Sequence, residues 1–232
     1  MGGPAEAHLN RSPGASISVD DCGVLTALLT FAPAAALIVL LPGPDTLVVL
    51  RNLLRPGRRR ATLTVLGVLT GLVIWVGAAS LGLSAVLRAS HDAYTALRIA
   101  GACYLLWLGV SSLRSRFTSL PDPAEDLVRA TRRGILGSGF GAGLATDLLN
   151  PKVGVFFVTF LPGFVPSGHA VGATSMLLGG IFIVETAAYF AVLLLLAGRV
   201  TGWMENARIR RRLDRATGFV LIAFGLRLAI EP

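Results

Sequence analysis

Six apolar runs constrain this chain before any other feature does. They cover about residues 24–50, 62–87, 94–112, 135–161, 171–197 and 213–230, and each approaches the roughly 20 residues that a helix needs to cross a bilayer. In hydrocarbon every backbone donor and acceptor must be satisfied by the chain itself, and continuous runs of this length do so as helices. The chain therefore reads as an all-α integral membrane protein, a six-helix transmembrane bundle. Its 53% hydrophobic content agrees. A net charge of +8 would point to nucleic acid in a soluble domain. Here the arginines crowd the short connections, where membrane orientation accounts for them, so no nucleic-acid partner is expected.

The charges also set the direction of the runs. The first, third and fifth connections, "RNLLRPGRRRA", "RSRFTSLPDPAEDLVRATRR" and "GRVTGWMENARIRRR", are rich in arginine, whereas the second holds Arg88 and Arg98 and the fourth holds none. Counting positive charge places the odd connections in the cytoplasm and both termini outside. Residues 1–22 read as a flexible polar tail without the order of a signal peptide. Residues 23–112 form a first three-helix repeat, 113–134 a cytoplasmic linker and 135–232 a second repeat. Cys22 and Cys103 are far apart, which removes support for disulfide, zinc and thiol-redox chemistry. Gly67 and Gly71, Gly139 and Gly143, and Gly179 and Gly180 have the spacing of close helix crossings; such faces would also allow a homo-oligomer.

Two of the runs are interrupted. The first contains "LLPGPDTLVV", with Pro42, Gly43, Pro44 and Asp45, and the fourth contains "TDLLNPKVG", with Asp147, Asn150, Pro151 and Lys152. Proline removes a backbone donor and frees the carbonyl four residues earlier: Ile38 for Pro42, Leu40 for Pro44 and Asp147 for Pro151. Freed backbone at membrane depth is tolerated where it is buried in protein or lines a wet cavity. The breaks fall at comparable depths of the first and fourth runs. The third and sixth runs match loosely too, "RIAGACYLLWLG" against "RATGFVLIAFG". Three spans are an odd number, so the halves have opposite orientation: a 3+3 inverted repeat with Pro-broken first and fourth helices. Broken segments at matching places of two such halves point to a transport site.

The residues at the breaks define the expected chemistry. Asn150 suits an N-cap and Pro151 the first helical position. With Lys152 beside them, the free amides of a helix start would hold a carboxylate. Asp45 opens the other half-helix and could hold an ammonium or a proton. The candidate substrate-binding residues are Pro42, Gly43, Pro44, Asp45, Asp147, Asn150, Pro151 and Lys152. Glu185, inside "GGIFIVETAAYF", and Asp45 are the proton-coupling candidates, because ionisable groups within spans line ion and proton pathways. Lys152 is the one lysine among twenty arginines, which points to a position arginine cannot fill. The competing reading is that Lys152 only neutralises Asp147 or Glu185. No phosphate-cradling glycine loop is present, so ion coupling is the expected energy source.

These motifs resemble the lysine-exporter and threonine/homoserine-exporter (LysE/RhtB) translocators of bacterial plasma membranes. The likeness spans about residues 24 to 230 and rests on "LPGPDTLVVLRNLLRPGRRRATLTVLGVLTG", "GACYLLWLGVSSLRS", "LLNPKVGVFFVTFLPGFV" and "GLRLAI". It implies a multi-pass protein of the plasma (inner) membrane that exports amino acids or close derivatives, driven by protons, with no bound cofactor and no enzymatic activity. It carries a binding or transport role onto the PGPD and NPK residues. Many members have asparagine where this chain has Asp147, and histidine near Trp75. Rival readings are an exporter of a metal cation or other metabolite on the same scaffold, a membrane enzyme, and a membrane assembly subunit. His8, His91 and His169 fall in the tail and outer loops, against metal or redox chemistry at depth.

Overall fold

Apolar runs become helices wherever the backbone ladder is unbroken, and proline with glycine decides where it breaks. The computed structural model describes residues 19–54, 57–89, 91–114, 139–166, 168–196 and 207–230. In order these form α1 (Val19–Leu40), α2 (Pro44–Leu54), α3 (Arg58–Ala89), α4 (His91–Arg114), α5 (Phe140–Leu148), α6 (Pro151–Val155), α7 (Val171–Leu195) and α8 (Ala207–Ile230). α6 continues through a π-helical turn, Phe156–Phe160, and a 3-10 turn, Leu161–Phe164. The described residues contain no strand. Both expected breaks are present, at residues 41–43 and 149–150.

Segments Gly23–Leu40, Arg58–Gly82 and Val171–Leu195 are each long and apolar enough to cross a membrane. The pair Phe140–Leu148 and Pro151–Phe164 counts as a fourth span, bent by 50° at its break. Six spans were expected, and α4 and α8 fall short by composition. The apolar part of α4 is confined to Arg98–Leu113, while α8 opens on a run of arginines and carries Arg227 in its last turn. α1 begins at Val19, inside the segment read as a tail. Residues 1–18, the linker from 115 onward and the fifth connection over 197–206 lie outside the described residues.

α3 packs across α5 and α7, α4 pairs with α8, α1 lies against α7, and α2 bridges α3 and α5. Small residues set the closest of these crossings. A methyl group on Gly67 would run into the Phe140 carbonyl, and one on Gly143 into the Thr64 carbonyl, so α3 and α5 touch backbone to backbone. Gly109 and Gly218 do the same for α4 and α8: a Cβ on either would lie 2.8 Å from the other's carbonyl oxygen. Gly225 meets Ala102 and Leu106; the numbering rises along one helix as it falls along the other, so the pair is antiparallel. Two glycines differ from the expected packing role. Gly139 precedes α5 with φ 62°, and Gly180 faces open space.

The core is aromatic. Phe156, Phe157 and Phe160 from the π turn are buried. Phe156 meets Phe31 of α1 and Phe182 of α7, with centroids 5.9 and 4.8 Å away. Phe160 meets Phe224 of α8 at 4.5 Å. The segment after the second break is thereby fixed by helices from both halves of the chain. Outside, Leu25, Leu29, Val73, Leu81, Met176, Val184 and Phe219 are exposed, an apolar surface that water would penalise and lipid accepts.

Candidate functional site

The two breaks meet. α2 begins at Pro44 with Asp45 in its first turn, where the positive end of the helix dipole favours a carboxylate. α6 begins at Pro151, and Asn150 caps it: the Asn150 side-chain oxygen accepts from the Lys152 amide at 3.1 Å. The same asparagine turns its amide outward and donates to Asp45 Oδ2 at 2.6 Å. One residue thus starts a helix in the second half and holds the acid at the break of the first. Replacing Asn150 with alanine removes both bonds. We expect that variant to lose about 1–2 kcal/mol from the cap alone, read as a lower unfolding midpoint in detergent, with Asn150→Asp restoring the cap but not the contact to Asp45.

Lys152 reaches across in the opposite direction. Its ammonium donates to the carbonyls of Ile38 and Leu41, at 3.1 Å each. Ile38 is the carbonyl that Pro42 frees, and both sit at the C-terminal end of α1, the negative end of its dipole. The carbonyl of Asp147, freed by Pro151, accepts from the Asn150 backbone N–H at 3.1 Å and from Trp75 Nε1 of α3 at 3.4 Å. Gly43 lies beside the lysine: a Cβ there would stand in ordinary contact with Lys152 Nζ, at 3.4 Å.

Asp147, in the last turn of α5, has no exposed surface at all, and neither carboxylate oxygen has a hydrogen-bond partner. Its carboxyl occupies the space that Gly71 leaves, because a Cβ on Gly71 would overlap it. Asp45 Oδ1 is likewise buried without a partner. Asp45, Asp147, Lys152 and Gly43 line one cavity, with about 370 Å3 of space between its atoms counting its open side. Ile38 and Leu72 give it apolar walls, and Thr46, Thr186 and Tyr189 polar ones. Thr46 Oγ1 and the Tyr189 hydroxyl lie 3.4 Å apart.

Of the residues expected from sequence, the cavity brings together Gly43, Asp45, Asp147 and Lys152, with Asn150 one hydrogen bond away. Pro42, Pro44 and Pro151 shape the breaks. Glu185 is on α7 and does not line this cavity, although its Oε2 is buried without a partner. Its neighbours Thr186 and Tyr189 line it instead. Those two, with Thr46 and Trp75, were not expected. The available signal was the Tyr189 hydroxyl, four residues from Glu185 and three from Thr186, which the charge of Glu185 obscured.

Apolar helices packed around a charged cavity at two helix breaks are the architecture of a multi-pass membrane protein. The chain belongs to the LysE family: the family model for LysE type translocators matches residues 36–232. It is 31% identical over 215 residues to the threonine efflux protein of Escherichia coli (strain K12), covering 90% of this chain and 100% of that one. It is 28% identical over 202 residues to the leucine efflux protein of Salmonella choleraesuis, covering 86% and 93%. It is 30% identical over 208 residues to the uncharacterized membrane protein YrhP of Bacillus subtilis, covering 88% and 99%. No solved structure matches the chain significantly. The family is one of bacterial membrane transporters rather than enzymes.

Proposed function

We propose that this protein is a secondary transporter that exports an amino acid or a close derivative across the bacterial plasma membrane. The observation that carries the proposal is the meeting of both breaks at one cavity, where Lys152, Asp45 and Asp147 combine a cation with two acids. That set complements a small zwitterion. An ammonium has three donors, and two of those on Lys152 are used at Ile38 and Leu41; the third is available to the carboxylate of the substrate. Asp45 Oδ1 and Asp147, buried without partners, accept from the substrate's amine. Efflux of threonine and leucine by relatives agrees with a cargo of this kind.

Transport proceeds by alternating access, with the three-span halves as the moving bodies. Element order supports the inverted repeat: broken helix, long helix, helix, twice over. So does packing, because the antiparallel pair α4 and α8 maps onto itself and α1 against α7 maps onto α5 against α3. Both termini lie outside in this reading, which the exposed Arg58, Arg59 and Arg60 of the first connection support. An acid, Asp45 or Glu185, exchanges a proton during the cycle.

The test is efflux from proteoliposomes loaded with a mixture of amino acids, with and without an imposed pH gradient. The expected result is gradient-dependent loss of one or a few species. Retention of every amino acid by vesicles holding folded protein would overturn the assignment of cargo. Equal loss with and without the gradient would overturn proton coupling alone.

A further inference from the structure

We propose that the break of the first span is a monovalent-cation site, which the ammonium of Lys152 occupies as a tethered ion. The carbonyls of Ile38 and Leu41, at the C-terminal end of α1, face one point 3.1 Å from each, and that point is Lys152 Nζ. Carbonyls at the ends of interrupted membrane helices coordinate small cations, because helix dipole and unpaired lone pairs add there. Gly43 adjoins the site, with its Cβ position 3.4 Å from Nζ.

A second observation points to a cation independently of the helix end. Asp147 is fully buried, lines the same cavity, and has two oxygens without a partner. Asp45 adds a third such oxygen. Two carboxylates and two carbonyls against one ammonium leave acceptors in excess. The carbonyls of Ile38 and Leu41 touch the ammonium, the two carboxylates line the same cavity without contacting it, and oxygen donors of this kind suit a hard ion, such as sodium or potassium, rather than a transition metal. Lysine fills the site because its charge is a point at the end of a flexible stem; the wide planar guanidinium of arginine does not fit between two carbonyls. The chain thereby carries its own ion, and its transport needs no alkali cation from solution.

The inference is independent of what the protein exports, and its test reads stability rather than transport. Wild type, Lys152→Ala and Lys152→Met, each purified in detergent, are unfolded thermally in sodium chloride, potassium chloride or choline chloride at equal ionic strength. The expected result is a midpoint for the variants about 5 °C or more higher in sodium or potassium than in choline, with no such difference for wild type. Adding Asp45→Asn to either variant abolishes the difference. The same response in wild type, no response in the variants, or a response that survives Asp45→Asn would each overturn the site. So would failure of both variants to fold in sodium and in potassium, because a site that lysine merely fills must accept the free ion in its place.

Discussion

Replacing Lys152 with glutamine will reduce efflux by roughly 100-fold or more while leaving folded protein in the membrane. Glutamine keeps an N–H donor near the Ile38 and Leu41 carbonyls, so the end of α1 retains a partner, but the charge is gone. Hydrogen bonds made by a charged group contribute about 1.5–3 kcal/mol each, and every 1.4 kcal/mol is about tenfold in binding. On the proposed assignment the variant loses the charge that holds the substrate carboxylate, and it leaves Asp45 and Asp147 without a buried counter-ion, which is strongly unfavourable in its own right. Initial efflux rates from vesicles of equal protein content measure this directly. Transport at the wild-type rate would remove Lys152 from the site and reduce its role to holding α1.

The second large effect is on folding. Gly143→Val will leave little folded protein, and Gly143→Ala will unfold about 5 °C or more below wild type. A side chain at Gly143 meets the carbonyl, carbonyl carbon and Cα of Thr64. Backbone cannot rotate aside as a side chain does, so α3 and α5 must separate, and overpacking of this kind costs about 1–3 kcal/mol or more. Gly71→Ala provides the contrast. Its methyl group meets the carboxyl of Asp147, a group that turns about its own bonds. That variant therefore keeps more of its stability than Gly143→Val and loses transport, because the displaced carboxyl is one wall of the cavity. Thermal unfolding in detergent, read beside efflux, separates the two cases. Equal midpoints for Gly143→Ala and wild type would show that the helices are not in backbone contact.

Three prolines in the first run show how far local sequence reaches. Pro33 lies within α1 and does not end it, whereas Pro42 and Pro44, with Gly43 between them, do. Two missing donors within three residues, joined by the residue with most backbone freedom, leave too little ladder to continue the helix. The start of α6 was equally legible. Asn150 and Pro151 are neighbours in the chain, and the cap they form is a local arrangement.

Residue order alone therefore dictates what acts over a turn or two of helix. The apolar runs require helices because lipid offers the backbone no partners. The prolines place the breaks because they remove donors at known positions. The acids and the lysine at those breaks are marked because bare charge is costly at that depth. Which of these groups face one another is settled by the packing of the helices. Lys152 finds Ile38 across 114 positions of chain, Asn150 finds Asp45 across 105, and Trp75 takes up the carbonyl of Asp147 across 72. Thr186 and Tyr189 line the cavity in place of Glu185 through the rotation of α7, which is set by Gly179 seated against Val76 of α3. Such pairings depend on how closely whole helices approach and how they are turned. Those quantities come from packing summed over the bundle and are written in no single stretch of residues.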